Sequence, residues 1–249
     1  MEKVSVFTHE LDMALRLVDT TSGSDISGRE VEVRLDGLRA RCEEKGGVLI
    51  FQNLPSRRFQ LTLRSRYYET ECREVELDAL GKGLPLLELQ LLPSAGHPDG
   101  PEFLALEGSL PGISGLSAVR AGDNACMIRE FDQRKRLMKL FNPHHLALDR
   151  MFYGLVDPDN GRYEPLRILK LTDEQTAKTD RVLETEFRNY FPVTPMVFGK
   201  CSPDGRYCLR VRDQGGQARW IVRWERNGEV FFQTVDFRED PHPRLKGGG

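Results

Sequence analysis

Apolar side chains in this chain recur at every second residue, and that period decides what it can fold into. Leu11, Met13, Leu15 and Leu17 alternate with Asp12, Ala14, Arg16 and Val18. Val31, Val33 and Leu35 alternate with Glu32, Arg34 and Asp36, and Phe59, Leu61 and Leu63 with Gln60, Thr62 and Arg64. Leu87, Leu89 and Leu91 alternate with Glu88, Gln90 and Leu92. A period of two places one set of side chains on one face of a strand. Turn clusters separate the runs: Asp19 to Asp25, Lys45-Gly46-Gly47 and Asn53-Leu54-Pro55. About seven short strands in about 85 residues is the spacing of a β-sandwich. No stretch here has a 3.6-residue period.

The last 50 residues repeat the signal. Tyr207, Leu209 and Val211 alternate with Arg206, Cys208, Arg210 and Arg212, and Trp220, Val222 and Trp224 with Ile221, Arg223 and Glu225. Asn227-Gly228 is a hairpin turn, and Val230 to Phe237 reads as a third strand. The expected product is an antiparallel meander with aromatics, Phe232 included, on one face and arginines on the other. Phe187, Phe191, Val193, Met196 and Phe198 are expected to supply the layer that covers the aromatics. Upstream, Cys126 to Phe131 and Leu137 to Phe141 flank the turn Asp132 to Lys135. Phe152 to Val156 and Tyr163 to Leu169 flank Asp157-Pro158-Asp159-Asn160-Gly161. Leu171 to Tyr190 contains helix formers (Glu174, Gln175, Ala177, Lys178) without an apolar stripe, and is read as a loop with one helical turn.

Three segments together carry a family resemblance. They are Gly28-x-x-Val31-x-Val33, then Gly47-x-x-Ile50-Phe51-x-Asn53-Leu54-Pro55, then Phe59-x-Leu61-x-Leu63-x-Ser65-x-x-Tyr68. In order and spacing, residues 10–92 resemble the carboxypeptidase-regulatory-like (transthyretin-like) β-sandwich family. The glycine that usually precedes the third segment is Arg57 or Arg58 here, which implies a wider turn. The resemblance implies a sandwich with Phe51, Phe59 and Tyr68 in a shared core and no catalytic residues of its own. Pro203-Asp204-Gly205-Arg206-Tyr207-x-Leu209 echoes it, which leaves open a second related sandwich.

Leu92 to Pro101 is rich in Pro and Gly and marks a boundary. The expected organisation is all-β in two β-rich domains: a transthyretin-like (prealbumin-like) sandwich over 1–93 and a β-meander domain with an irregular loop region over 102–243. Residues 94–101 are expected to be a linker and residues 244–249 a flexible tail.

Charge excludes more than it suggests. Thirty-six Lys and Arg against 38 Asp and Glu give a net charge of -2, so there is no basic excess for nucleic acid. No run of about 18 apolar residues is available to insert in a bilayer. Met1 to Asp12 contain no apolar h-region, so no export signal and a cytoplasmic location are expected. Cys42, Cys72, Cys126, Cys201 and Cys208 are odd in number and widely spaced, which argues for reduced thiols. Cys201 and Cys208 could face each other across the turn at Ser202 to Gly205.

Catalytic and ligand motifs are sparse. His144, His145 and Asp149 are the nearest approach to a metal set, but His9, His97 and His242 lie too far along the chain to complete it, and a polar turn is the preferred reading. Asp157-x-Asp159-Asn160-Gly161 begins like a calcium loop, yet its twelfth position is Ile168 rather than glutamate. Arg206, Arg210, Arg212, Arg219, Arg223 and Arg226 could form a basic face between Arg206 and Arg223, against the ordinary alternative of cross-strand pairs with Glu225, Asp213, Glu229 and Asp236. No catalytic residue, cofactor site or metal site is therefore assigned, and no enzyme activity or small-molecule ligand is expected. In general character the chain resembles a baseplate, cap or adaptor subunit of a phage tail-like contractile particle. The expected function is a non-catalytic structural or adaptor subunit whose partners are other protein subunits. The alternative is a carbohydrate- or surface-binding module with Trp220 and Trp224 as exposed stacking platforms.

Overall fold

A computed structural model describes residues 11–38, 40–80, 85–99, 103–122, 126–143, 148, 152–184, 190–212 and 219–246. The chain is all-β: among these residues there are eighteen strands and one 3-10 turn, Leu77–Leu80. It divides into two compact units, Met1–Asp19 with Asp25–Gly100, and Thr20–Ser24 with Pro101–Gly249.

The first unit holds seven strands: β1 (Leu11–Asp19), β2 (Glu32–Leu35), β3 (Arg41–Lys45), β4 (Val48–Gln52), β5 (Arg58–Arg64), β6 (Glu71–Glu76) and β7 (Leu86–Leu91). They form a four-stranded sheet, β3-β4-β1-β7, and a three-stranded sheet, β2-β5-β6. The alternating residues of both sheets meet in one core that includes Met13, Leu15, Leu17, Phe51, Phe59, Leu61, Leu63 and Tyr68. Val33 is only partly buried at its margin. Pairing in β1–β7 is parallel, and every other pairing in the unit is antiparallel. The β3–β4 hairpin turns on Gly46 and Gly47, whose φ values of 59° and 75° suit a two-residue turn that L side chains resist. β3 has no counterpart among the sequence expectations. All five of its residues are exposed, so it has no apolar alternation, and its charges suit a sheet edge.

The segment expected to be a linker is part of this unit over Ser94–Asp99. Ser94 N–H donates to the Tyr67 carbonyl at 2.7 Å, Ser94 Oγ to the Arg66 carbonyl at 3.0 Å, and His97 N–H to the Ser94 carbonyl at 3.1 Å. A Cβ on Gly96 would lie 2.6 Å from the Arg66 carbonyl oxygen, so glycine here permits close backbone approach rather than slack.

The second unit holds β8 (Phe103–Ser109), β9 (Ile113–Arg120), β10 (Met127–Asp132), β11 (Leu137–Phe141), β12 (Phe152–Asp157), β13 (Arg162–Asp173), β14 (Thr176–Thr179), β15 (Val193–Cys201), β16 (Arg206–Arg212), β17 (Arg219–Arg226) and β18 (Glu229–Asp236). One part closes on itself. The order β10-β11-β14-β13-β12-β15 returns to β10 because Ile128 N–H donates to the Phe191 carbonyl, Tyr190 N–H to the Ile128 carbonyl and Val193 N–H to the Cys126 carbonyl. Ile128, Met138, Leu140, Tyr153, Leu155 and Leu166 fill this small barrel.

The other part is a curled sheet, β8-β16-β15-β9-β17-β18, around Leu106, Leu116, Leu209, Val211, Trp220, Val222 and Trp224. A third layer, Val119, Val156, Tyr163, Met196 and Ile221, joins the outer faces of the two parts.

Five expectations for this half are corrected. The last three strands are not one meander: β17 pairs with β18, but β15 and β9 lie between β16 and β17. Thr176 to Thr179 is a strand, not a helical turn: Asp173 Oδ1 accepts the Gln175 N–H in a tight turn, and four helix formers cannot offset the cost of a helix nucleus. Phe231, not Phe232, shares the tryptophan face. Trp224 pairs with Phe231 and stacks on it at 5.7 Å, whereas Phe232 pairs with Arg223 and turns to the third layer. The tryptophans are covered chiefly by β8, β9 and β16. Phe191 and Val193 lie in the barrel, Met196 and Phe198 in or against the third layer, and Phe187 outside the described residues. The tail is docked over Arg244–Lys246. Leu245 is buried, its N–H donates to Tyr207 Oη at 2.9 Å, and Gln233 bonds both the Arg244 carbonyl and the Lys246 N–H.

Candidate functional site

Polar groups converge at one end of the first unit, where β1 ends at Asp19 and the chain returns through Ser94–Asp99. The buried Tyr68 hydroxyl donates to Asp19 Oδ2 at 3.1 Å. The His97 side chain is nearly enclosed, with Nε2 3.7 Å from Asp19 Oδ2 and Nδ1 3.8 Å from Asp99 Oδ2. Asp99 N–H donates to Nδ1 at 3.2 Å, which assigns the ring proton to Nε2 on the Asp19 side. The Tyr68 and His97 rings meet edge-on at 5.5 Å. Burial, and then the charge of Asp19, push the Tyr68 phenol well above its ordinary pKa, so it remains a proton-bearing donor. The arrangement ties the returning chain to β1.

The arginine strip does not form one face. β15 and β9 lie between β16 and β17, so the two rows are about 14 Å apart by strand spacing. Arg206 pairs with Asp204 at 2.8 Å, Arg223 with Glu225 at 2.8 Å, and Arg210 lies 4.0 Å from Glu107. Arg226 Nε donates to the Pro111 carbonyl. The Arg223 side chain is 17% exposed because its face of β17 packs on the third layer.

The Asp157 carboxylate is engaged by its own turn. Oδ1 accepts the N–H groups of Asp159 and Asn160, and Oδ2 accepts Asn160 Nδ2 at 2.6 Å. Cys201 stands opposite Tyr207 and Cys208 opposite Lys200, so the two cysteines occupy opposite faces, and none of the five cysteines forms a disulfide. Burial raises the Cys201 pKa. At Cys42, burial and then Glu44 and Glu43 do the same. His144, His145 and Asp149 lie outside the described residues; among the described ones, no three His, Cys, Asp or Glu side chains are grouped to hold a metal ion. No helix among the described residues is long and apolar enough to cross a membrane. Trp220 and Trp224 are 5% and 2% exposed, so neither presents a ring for a sugar to stack on.

Two surfaces escaped the sequence reading. Six large apolar side chains are exposed among the described residues, and five of them (Phe141, Leu169, Leu171, Val182 and Tyr190) belong to the barrel or its connecting chain. Phe141 and Tyr190 meet edge-on at 6.3 Å. The out-of-phase pair Leu169 and Leu171, beyond the inward Leu166 and Ile168, was the available signal. The second surface is an open cleft of about 510 Å³ between β2 and β3, floored by Leu49 and Phe51. Comparison with protein-family models, with curated proteins and with solved structures finds no match.

Proposed function

We propose that this chain is a non-catalytic structural or adaptor subunit of a larger protein assembly, of the kind found in phage tail-like contractile particles and built inside the cell. The supporting observation is the apolar outer surface of the barrel. Phe141 is 42% exposed and Tyr190 57%, with Leu169, Leu171 and Val182 on the same substructure. Exposed apolar groups gathered on one part of a chain mark protein contacts, and aromatic residues are enriched in such contacts. The seven strands in two sheets of the first unit support reading it as a carboxypeptidase-regulatory-like module, a fold that supplies a scaffold and leaves function to its surfaces.

Size exclusion of a native-source lysate tests the reading. The chain is expected to migrate far above its 28.4 kDa, and a Phe141→Ser, Tyr190→Ser variant to return to the monomer position. Wild-type protein found only at the monomer position overturns it.

A further inference from the structure

Among the described residues, the sandwich of the first unit has no strand at one place. Residues directly opposed in a ladder share a face. Cys42 pairs with Phe51 and Glu44 with Leu49, so all four point to the core side of their sheet. Phe51 and Leu49 are buried, yet Cys42 and Glu44 are exposed. The cause is the unequal sheets: among the described residues the three-stranded sheet ends at β2, and no strand of it covers β3. The cleft of about 510 Å³ lies in that position, with Val33 and Leu35 of β2 along its other side.

The β2 backbone is arranged to receive a strand there. Asp36 N–H donates to the Gln60 carbonyl, and the antiparallel β2–β5 register alternates from that bonded pair. Glu32 and Arg34 therefore direct their backbone groups to β5, while the N–H and C=O of Val33 and the N–H of Leu35 point to the free edge. Charge marks the two ends. Asp36 lines one end and has no side-chain partner among the described residues. At the other, Glu44 accepts, among the described residues, bonds of 3.3 Å from Ser27 Oγ and Gly28 N–H. Partial burial, and then the charges of Glu44 and Glu43, raise the pKa of the Cys42 thiol between them.

We propose that the slot between β2 and β3 binds an extended segment of a partner protein, added antiparallel to β2, with alternating apolar side chains over Leu49 and Phe51 and a Lys or Arg at its leading end beside Asp36. Main-chain bonds to Val33 supply affinity and the slot supplies side-chain selection, the division found where strands add to sheet edges. This site is separate from the barrel surface of the proposed assembly contact and stands or fails independently of it.

The test uses the full chain and the peptide acetyl-Lys-Val-Thr-Val-Thr-Val-amide at about 1 mM. Alkylation of Cys42, followed by peptide mapping, and amide exchange at Val33 and Leu35 are each expected to slow on the order of tenfold. A peptide beginning with Glu is expected to protect less. Val33→Pro removes the edge donor at a position where a strand tolerates proline, and is expected to abolish Cys42 protection in a chain that still unfolds cooperatively, at a lower melting temperature because the valine packs at the core margin. Cys42→Trp fills the slot from an exposed position and is expected to abolish the exchange effect. Absence of slowing in the wild type, equal protection by the Glu peptide, or protection that persists in Val33→Pro overturns the proposal.

Discussion

Ser117 and Tyr163 share a buried hydrogen bond of 2.7 Å that joins β9 to β13 across an otherwise apolar layer. Gly154 makes room for it: a Cβ there would lie 2.8 Å from the Tyr163 ring and 2.6 Å from Val119. Removing either hydroxyl leaves the other buried and unsatisfied. Tyr163→Phe and Ser117→Ala are each expected to cost about 1–3 kcal/mol in urea unfolding, and the double variant less than their sum.

The same tyrosine sets an alkaline limit. Burial raises its pKa, outweighing the opposing effects of Ser117 and Arg223, and burial with Asp19 raises that of Tyr68. Below about pH 10 the phenols are protonated in both folded and unfolded chains; above it only the unfolded chain releases the protons readily. Stability is therefore fully present below that pH and lost as the pH rises beyond it. Equilibrium unfolding from pH 8 to 11 checks this, and Tyr163→Phe is expected to flatten the decline.

Phe51 is 3% exposed in the sandwich core. Phe51→Ala is expected to cost about 3–5 kcal/mol in the unfolding of the first unit. A change within error would mean that the β4 face is wrongly placed.

Leu245 closes the tryptophan core and holds the Tyr207 hydroxyl through its N–H. Ending the chain after Pro243 is expected to lower stability by about 2–4 kcal/mol through lost burial and a stranded phenol. Thermal unfolding of the truncated chain beside the full chain measures it.

Trp220 and Trp224 lie within the curled sheet, and their indole N–H groups have no hydrogen-bond partner there. Their emission is expected to be blue-shifted and poorly quenched by acrylamide. Red-shifted, freely quenched emission would place them on the surface.

The sequence by itself determined the strand class, the faces of most long strands and several turns. Each of these follows from local chemistry: the side-chain period of two at Leu11 to Leu17 and Trp220 to Trp224, and the positive φ that Gly46-Gly47 and Asn227-Gly228 supply. The tertiary structure decided everything that depends on which strands become neighbours. β3, with five exposed residues, has no local apolar signal and exists because β4 offers it a ladder. Phe231 rather than Phe232 joins the tryptophans because register, not period, chooses between adjacent residues. Ser94–Asp99 and Leu245 look like loose chain until the Arg66 and Tyr67 carbonyls and the Tyr207 hydroxyl arrive from distant strands. The slot over Phe51 arises from the number of strands in each of two sheets, a quantity that no segment of the chain encodes alone.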